Sequence, residues 1–169
     1  GTEDNRVRKL DYSIQISKIF YERFIKNAEI TLFSPNNVPD LYEAFGMPEF
    51  DDLYLKYEKD KSIPKKTIGA QELFMALLKE RAETGRIYIM NLDHCNTHSS
   101  FKDKVYMSNL CQEITLPTTP VQHIDDKEGE IALCILSAIN LGLLTDMKEL
   151  EELCDLSVRA LDEIIDYQE

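Results

Sequence analysis

Two short runs, Ile87-Tyr88-Ile89-Met90 and Ile131 to Leu136, are apolar at almost every consecutive position. A strand that alternates apolar and polar residues buries one face, whereas a continuous apolar run buries both. A strand buried on both faces needs covering layers, and amphipathic helices supply them. The helices are legible too. Residues 70–84 put Leu73, Phe74, Leu77 and Leu78 on one face and end at Gly85, where a C′ glycine belongs. Residues 147–167 carry Leu150, Leu153, Val158, Leu161, Ile164 and Ile165 at helical steps. Residues 6–26 carry Val7, Leu10, Ile14, Ile19, Phe20 and Phe24 mostly three and four apart, and read as a third helix ending near Asn27. Helices alternating with doubly apolar strands predict parallel pairing and an α/β fold. Two or three good strands are too few to close a barrel.

The connections read as follows. Ile30, Leu32 and Phe33 make a short extended piece, and Ser34-Pro35 a turn or helix start. Pro39 is a first-turn proline before Leu41–Phe45, and Gly46 and Pro48 break that helix. Residues 50–57 are a short aromatic helix, 59–66 a polar loop, and 91–104 a polar stretch without periodicity. Val105 to Leu116 is mixed and extended, closed by Pro117 and Pro120, and Asp125 to Glu130 is an acidic turn. The 169 residues suit one domain, and both ends read as cut, because charged helical pattern runs up to them.

Thirty-one acidic against nineteen basic residues leave a net charge of −12. This argues against a general nucleic-acid or anionic-membrane surface, since phosphate attraction needs clustered Lys and Arg. No apolar run has the length of a membrane span and the first residues lack a signal-peptide core, so the chain reads as cytoplasmic. Cys95, Cys111, Cys134 and Cys154 contain no CxxC pair, and a structural disulfide framework is not expected in that compartment. Cys154 sits on the apolar face of the last helix and is expected in the core. Asp93 to His98 gathers Asp, His, Cys and His side chains, but without regular zinc-ligand spacing, and reads as a structural loop. No metal or cofactor ligand is assigned to the chain.

The most suggestive local sequence is Ser108-Asn109-Leu110-Cys111-Gln112-Glu113-Ile114. In an extended segment, side chains two apart share a face, which would set the Asn109 amide, the Cys111 thiol and the Glu113 carboxylate side by side. Cys134, within the second apolar run, could face the same site. Pattern alone favours an incidental triplet, and a cysteine in a buried strand is usually a small hydrophobe.

Seven blocks then carry a family resemblance: NRVRKLDYSIQISKIFYERFIK, ITLFSPNNVPDLYEAF, YEKDKSIPKK, ERAETGRIYIMNLDHCNTHSSF, MSNLCQEITLPTTP, GEIALCILSAINLG and LEELCDLSVRALDEIIDYQ. Together they run from end to end, and they resemble the large catalytic subunit of class I ribonucleotide reductase. The resemblance implies part of a ten-stranded α/β barrel, built as two five-stranded parallel halves set antiparallel, with a finger loop reaching into it. Residues 1–169 would run from the late first half-barrel, through a finger loop at about 105–117, into the start of the second half, with no complete second domain. It implies that Cys111 carries a thiyl radical, Glu113 is the general base, Asn109 orients substrate, and Cys134 is a redox-active thiol whose partner lies outside this chain.

The same resemblance implies the surroundings of the intact enzyme. These are the remaining segments of the large subunit, a metal-radical small subunit, ATP and dNTP effectors, a thioredoxin- or glutaredoxin-type reductant and a ribonucleoside diphosphate substrate. The rival reading is a non-catalytic piece that acts only by assembling with complementary chains. Under either reading the 169 residues alone are expected to be inactive.

Overall fold

Tyr12, Ile14 and Ile16 alternate with Ser13 and Gln15, and the backbone follows this two-residue period rather than the helical one. The computed structural model describes residues 10–167. In it the helix expected over 6–26 is replaced by strand β1 (Tyr12–Ile16) and helix α1 (Lys18–Ile25); residues 6–9 of that expectation lie outside the described residues. The helical reading used Leu10, Ile14 and Ile19 and left Tyr12 and Ile16 aside. A parallel partner decides between the two periods. Strand β4 (Ile87–Asn91) pairs with β1 from Tyr12↔Ile87 to Ile16↔Asn91, so tertiary pairing overrides local pattern.

Between those strands the chain forms β2 (Glu29–Phe33), α2 (Pro39–Ala44), α3 (Phe50–Lys59), β3 (Lys65–Gly69) and α4 (Ala70–Thr84). Strands β2 and β3 pair antiparallel, from Glu29↔Gly69 to Phe33↔Lys65. β3 begins within the stretch expected as a polar loop; its lysines are tolerated because this edge strand is only partly buried. α4 matches its expected span, and Gly85 closes it at φ 67° with its N–H on the Arg81 carbonyl at 2.7 Å. α5 (Leu92–Thr97) forms where no periodicity was visible. It is too short to show a period, and Asn91 starts it directly from β4.

The core gathers Ile16, Ile19, Phe20, Ile30, Leu41 and Phe50 between the helices and the strands. Arg23 pairs with Glu58 at 2.6 Å, and Glu58 also accepts from the Thr31 hydroxyl at 2.9 Å, tying α1, α3 and β2 together. Past α5, the acidic turn folds on Asp126, whose carboxylate accepts the N–H groups of Gln122, Glu128 and Gly129. Those bonds hold its pKa below the ordinary carboxylate range. The first compact unit ends at Ala132.

The second unit, Leu133–Glu169, contains a 3-10 turn (Leu141–Leu143) and α6 (Met147–Asp166). α6 starts on a reciprocal cap. Asp146 accepts the Glu149 N–H at 2.8 Å, while Glu149 accepts the N–H and hydroxyl of Thr145, both at 2.7 Å.

Two further expectations change. Residues 131–136 form no strand, and Ile131, Leu133 and Leu136 are exposed, because no ladder partner lies beside them among the described residues. Cys154 is exposed rather than in a core: no second layer covers α6 within its unit. As the small number of strands predicts, no barrel closes among the described residues: the sheets have two strands each, one parallel and one antiparallel. The architecture is α/β.

Candidate active site

The segment Val105–Pro117 has no strand ladder of its own, so other bonds must hold it. Its root is fixed by α5. The Asn96 side chain accepts the Val105 N–H through Oδ1 at 2.8 Å and donates through Nδ2 to the Val105 carbonyl at 3.1 Å. That amide therefore stands in for a neighbouring strand. The Val105 side chain is fully buried against Met90 and Leu92. One residue on, the Tyr106 carbonyl accepts from Gln15 Nε2 of β1 at 2.7 Å. Lys104 donates to the Glu43 carbonyl, with its ammonium 4.4 Å from the centre of the Tyr106 ring.

The tip is a tight turn. The Gln112 N–H donates to the Asn109 carbonyl at 3.1 Å, and Gln112 sits at φ 67°, in the left-handed region. Its Nε2 donates to the same carbonyl at 3.0 Å, while its Oε1 is buried without a partner. Asn109 Oδ1 accepts the Ile114 N–H at 3.0 Å, and Ser108 Oγ donates to the Ile114 carbonyl at 2.5 Å. The loop thus closes on itself from Ser108 to Ile114.

This turn corrects the extended reading of Val105–Leu116. Asn109, Cys111 and Glu113 do not alternate along one strand face; their presentation is set by a loop that turns between Asn109 and Gln112. Cys111 and Glu113 are exposed and Asn109 is half-buried. Cys134 belongs to the second unit, where it is exposed on irregular backbone instead of sitting in a strand.

Beside the loop, Gln112 lines a shallow cleft of about 390 Å³ with Ile89, Met90, Asn91, His94, Cys95 and His98. His94 on α5 and His98, the residue that caps its C-terminus, lie four residues apart with ring centres 5.6 Å apart. Cys95 packs toward Met90 and Leu92, and burial, then the Asp93 charge, pushes its thiol pKa up. Asp93 itself accepts the Lys18 N–H at 2.7 Å and so caps α1. Among the described residues, no group of three or more His, Cys, Asp or Glu side chains comes together in a way that could hold a metal ion. No described helix is long and apolar enough to cross a membrane.

Sequence reasoning missed the anchors Asn96 and Gln15. Their partners are backbone atoms far along the chain, which leave no motif. Gly46 was read only as a helix breaker, yet a Cβ there would meet Leu92 Cγ at 2.7 Å and Asn96 Nδ2 at 2.9 Å.

An α/β unit with a thiol, an amide and a carboxylate on one self-closed loop is the class that fold and site define. The comparisons narrow it. A family model described as ribonucleotide reductase, barrel domain, matches residues 1–169, and the chain belongs to that family. It is 59% identical over 174 aligned positions to the ribonucleoside-diphosphate reductase subunit alpha of Haemophilus influenzae, covering 100% of this chain and 23% of that protein. It is 57% identical over 173 positions to the subunit alpha of Buchnera aphidicola subspecies Schizaphis graminum, covering 99% and 23%. Against the ribonucleoside-diphosphate reductase 1 subunit alpha of Escherichia coli it is 56% identical over 126 positions, covering 72% and 17%. The chain therefore spans about a quarter or less of the length of these relatives.

Proposed function

We propose that the chain is the catalytic-loop segment of a ribonucleoside-diphosphate reductase, converting ribonucleotides to deoxyribonucleotides by a thiyl-radical mechanism. The observation that carries the reading is the self-closed loop Ser108–Ile114, with Cys111 exposed on it between Asn109 and Glu113, in a chain more than half identical to proteins named reductase alpha subunits.

In this reading the Cys111 sulfur radical abstracts the ribose 3′-hydrogen and becomes a thiol. Glu113 accepts the 3′-hydroxyl proton as general base. The 2′-hydroxyl leaves as water, protonated by the thiol pair of Cys134 and a cysteine from outside this chain. That pair supplies two electrons and ends as a disulfide. Cys111 then returns its hydrogen to C3′ and recovers the radical, so two thiols and one ribonucleotide give a disulfide, water and one deoxyribonucleotide. Asn109 keeps its Oδ1 on the Ile114 N–H, which leaves its NH2 to orient a substrate hydroxyl. Burial of the loop inside a complete barrel would protect the radical from solvent.

In this proposal residues 1–169 run from the late first half-barrel through a finger loop at about 105–117 to the start of the second half, and the rest of the barrel comes from the remaining segments of the large subunit. The radical-generating small subunit, the nucleotide effectors and the dithiol reductant are further, separate partners of the assembled enzyme. The exposed Ile131, Leu133 and Leu136 are apolar surface of the kind such segments would cover.

In the assembled enzyme, Cys111→Ser is expected to abolish deoxynucleotide formation and leave substrate binding largely intact, because an O–H bond is too strong to carry the radical. Substantial turnover would reject the assignment and favour the purely structural reading. A peptide map of oxidised enzyme should join Cys134 to a cysteine outside these residues. A Cys134–Cys111 or Cys134–Cys154 bridge would reject that role.

A further inference from the structure

We infer that Asn96 is a positioning residue for Cys111, acting as a surrogate strand that sets the root of the catalytic loop. The inference rests on the reading of Cys111 above, and four observations carry it.

First, the loop lacks a ladder. Among the described residues, none from Phe101 to Thr118 belongs to a strand, so its placement depends on side chains. Second, Asn96 uses its whole amide. Oδ1 accepts the Val105 N–H at 2.8 Å, and Nδ2 donates to the carbonyls of Val105 at 3.1 Å and Leu92 at 3.2 Å. Those three bonds fix both the position of Val105 and which way the amide faces, since an N–H and two carbonyls admit only one orientation. Third, the amide is locked from behind. Gly46, at φ +82°, leaves the space that a Cβ would take from Asn96 Nδ2 and Leu92. Fourth, the anchored residue is itself immobile, with Val105 fully buried and the next carbonyl held by Gln15.

From Val105 the chain reaches Cys111 in six steps, the last four of whose residues, Ser108 to Cys111, belong to the self-closed tip. A tip that is internally rigid moves as a unit when its root moves. Releasing the root therefore displaces the Cys111 sulfur relative to substrate bound by the rest of the enzyme. A displacement near 1 Å is enough to lower a rate on the order of a hundredfold.

The test uses the complete large subunit carrying this sequence, assembled with its radical-generating partner. Asn96→Ala should lower kcat on the order of a hundredfold while KM stays close to the parent's. Amide exchange in the peptide 105–112, followed in the resting subunit, should accelerate at least tenfold. Asn96→Asp separates positioning from packing. It keeps the shape and the acceptor for Val105 but turns a carboxylate oxygen toward two carbonyls, so its kcat should fall as far as that of Asn96→Ala. If Asp restores turnover, side-chain volume alone matters and the inference is overturned. Gly46→Ala, whose methyl would press on Leu92 and on Asn96 Nδ2, should show the same split. It serves if the alanine variant fails to fold. Unchanged exchange and unchanged kcat in Asn96→Ala would overturn the clamp and leave the Cys111 assignment standing. Turnover by Cys111→Ser would reject that assignment and leave the exchange result standing.

Discussion

Tyr54→Phe removes a single hydroxyl, and the structure sets what that costs. Tyr54 is 4% exposed on α3, and Thr31, on β2, is equally buried. The phenol oxygen accepts the Thr31 N–H at 2.6 Å and donates to the Thr31 carbonyl at 2.9 Å. Those backbone groups lie on the side of β2 that β3 does not use, so the hydroxyl takes the place of a missing strand. Phenylalanine keeps the ring and its edge contact with Phe33, whose ring centre is 5.7 Å away. It leaves one N–H and one C=O buried without partners. Each such loss costs about 1–3 kcal/mol, and the pair about 2–4 kcal/mol once partial relaxation is allowed. At about 1.4 kcal/mol per factor of ten, local opening at Thr31 becomes roughly thirty to several hundred times more frequent. Hydrogen exchange at the Thr31 amide reads this directly in the complete subunit. A rate within threefold of the parent's would refute the reasoning. The phenol also predicts a pH effect. Burial raises its pKa above the ordinary 10.0, so the folded chain favours the neutral form. Its contribution is fully present below that value and is lost as pH rises through the higher folded one, and the phenylalanine variant should lack this alkaline loss.

Gly85→Ala should destabilise by about 1–2 kcal/mol, from φ 67° alone, because nothing lies within 4 Å of the added Cβ; the urea midpoint measures it. Gly129→Ala should disturb its turn more, since its Cβ would meet Val121 Cγ2 at 2.7 Å and Cα at 2.9 Å; amide exchange over residues 119–130 should rise sharply. Asp126, held low by three N–H donors, should keep its turn ordered through ordinary carboxylate pKa values and release it only as pH falls through its own lower value. An NMR titration of that carboxyl that follows the ordinary value would count against it.

The parts of the fold that were legible are those whose signal is local. α4 shows its span through four apolar positions and its end through Gly85, and α6 shows its apolar stripe. β4 was visible as a continuous apolar run. β1 was not, because Ile14 satisfies a helical and an extended period alike, and only β4 distinguishes them. β3 was hidden by its lysines. Residues 131–136 failed in the opposite direction. Their run carries the signature of a strand buried on both faces, but a strand exists only beside a neighbour, and none of the described residues provides one.

The site divides along the same line. Asn109, Cys111 and Glu113 form a suggestive local pattern, but pattern alone favours an incidental triplet, and their proposed roles rest on the family resemblance. How the chain presents them did not show, because it depends on a turn in which Gln112 adopts φ 67° with no glycine to announce it. The Gln112 side chain offsets that strain locally through its bond to the Asn109 carbonyl. The loop root is less legible still. Asn96 holds Val105 through backbone N–H and C=O groups, which every residue but proline possesses, so the partner's identity leaves no mark on the sequence. Gly46 is needed only because Asn96 and Leu92 occupy the space where its Cβ would lie. A local cluster of residue types can thus be marked in the sequence, whereas the groups that hold the loop root are defined by what they touch.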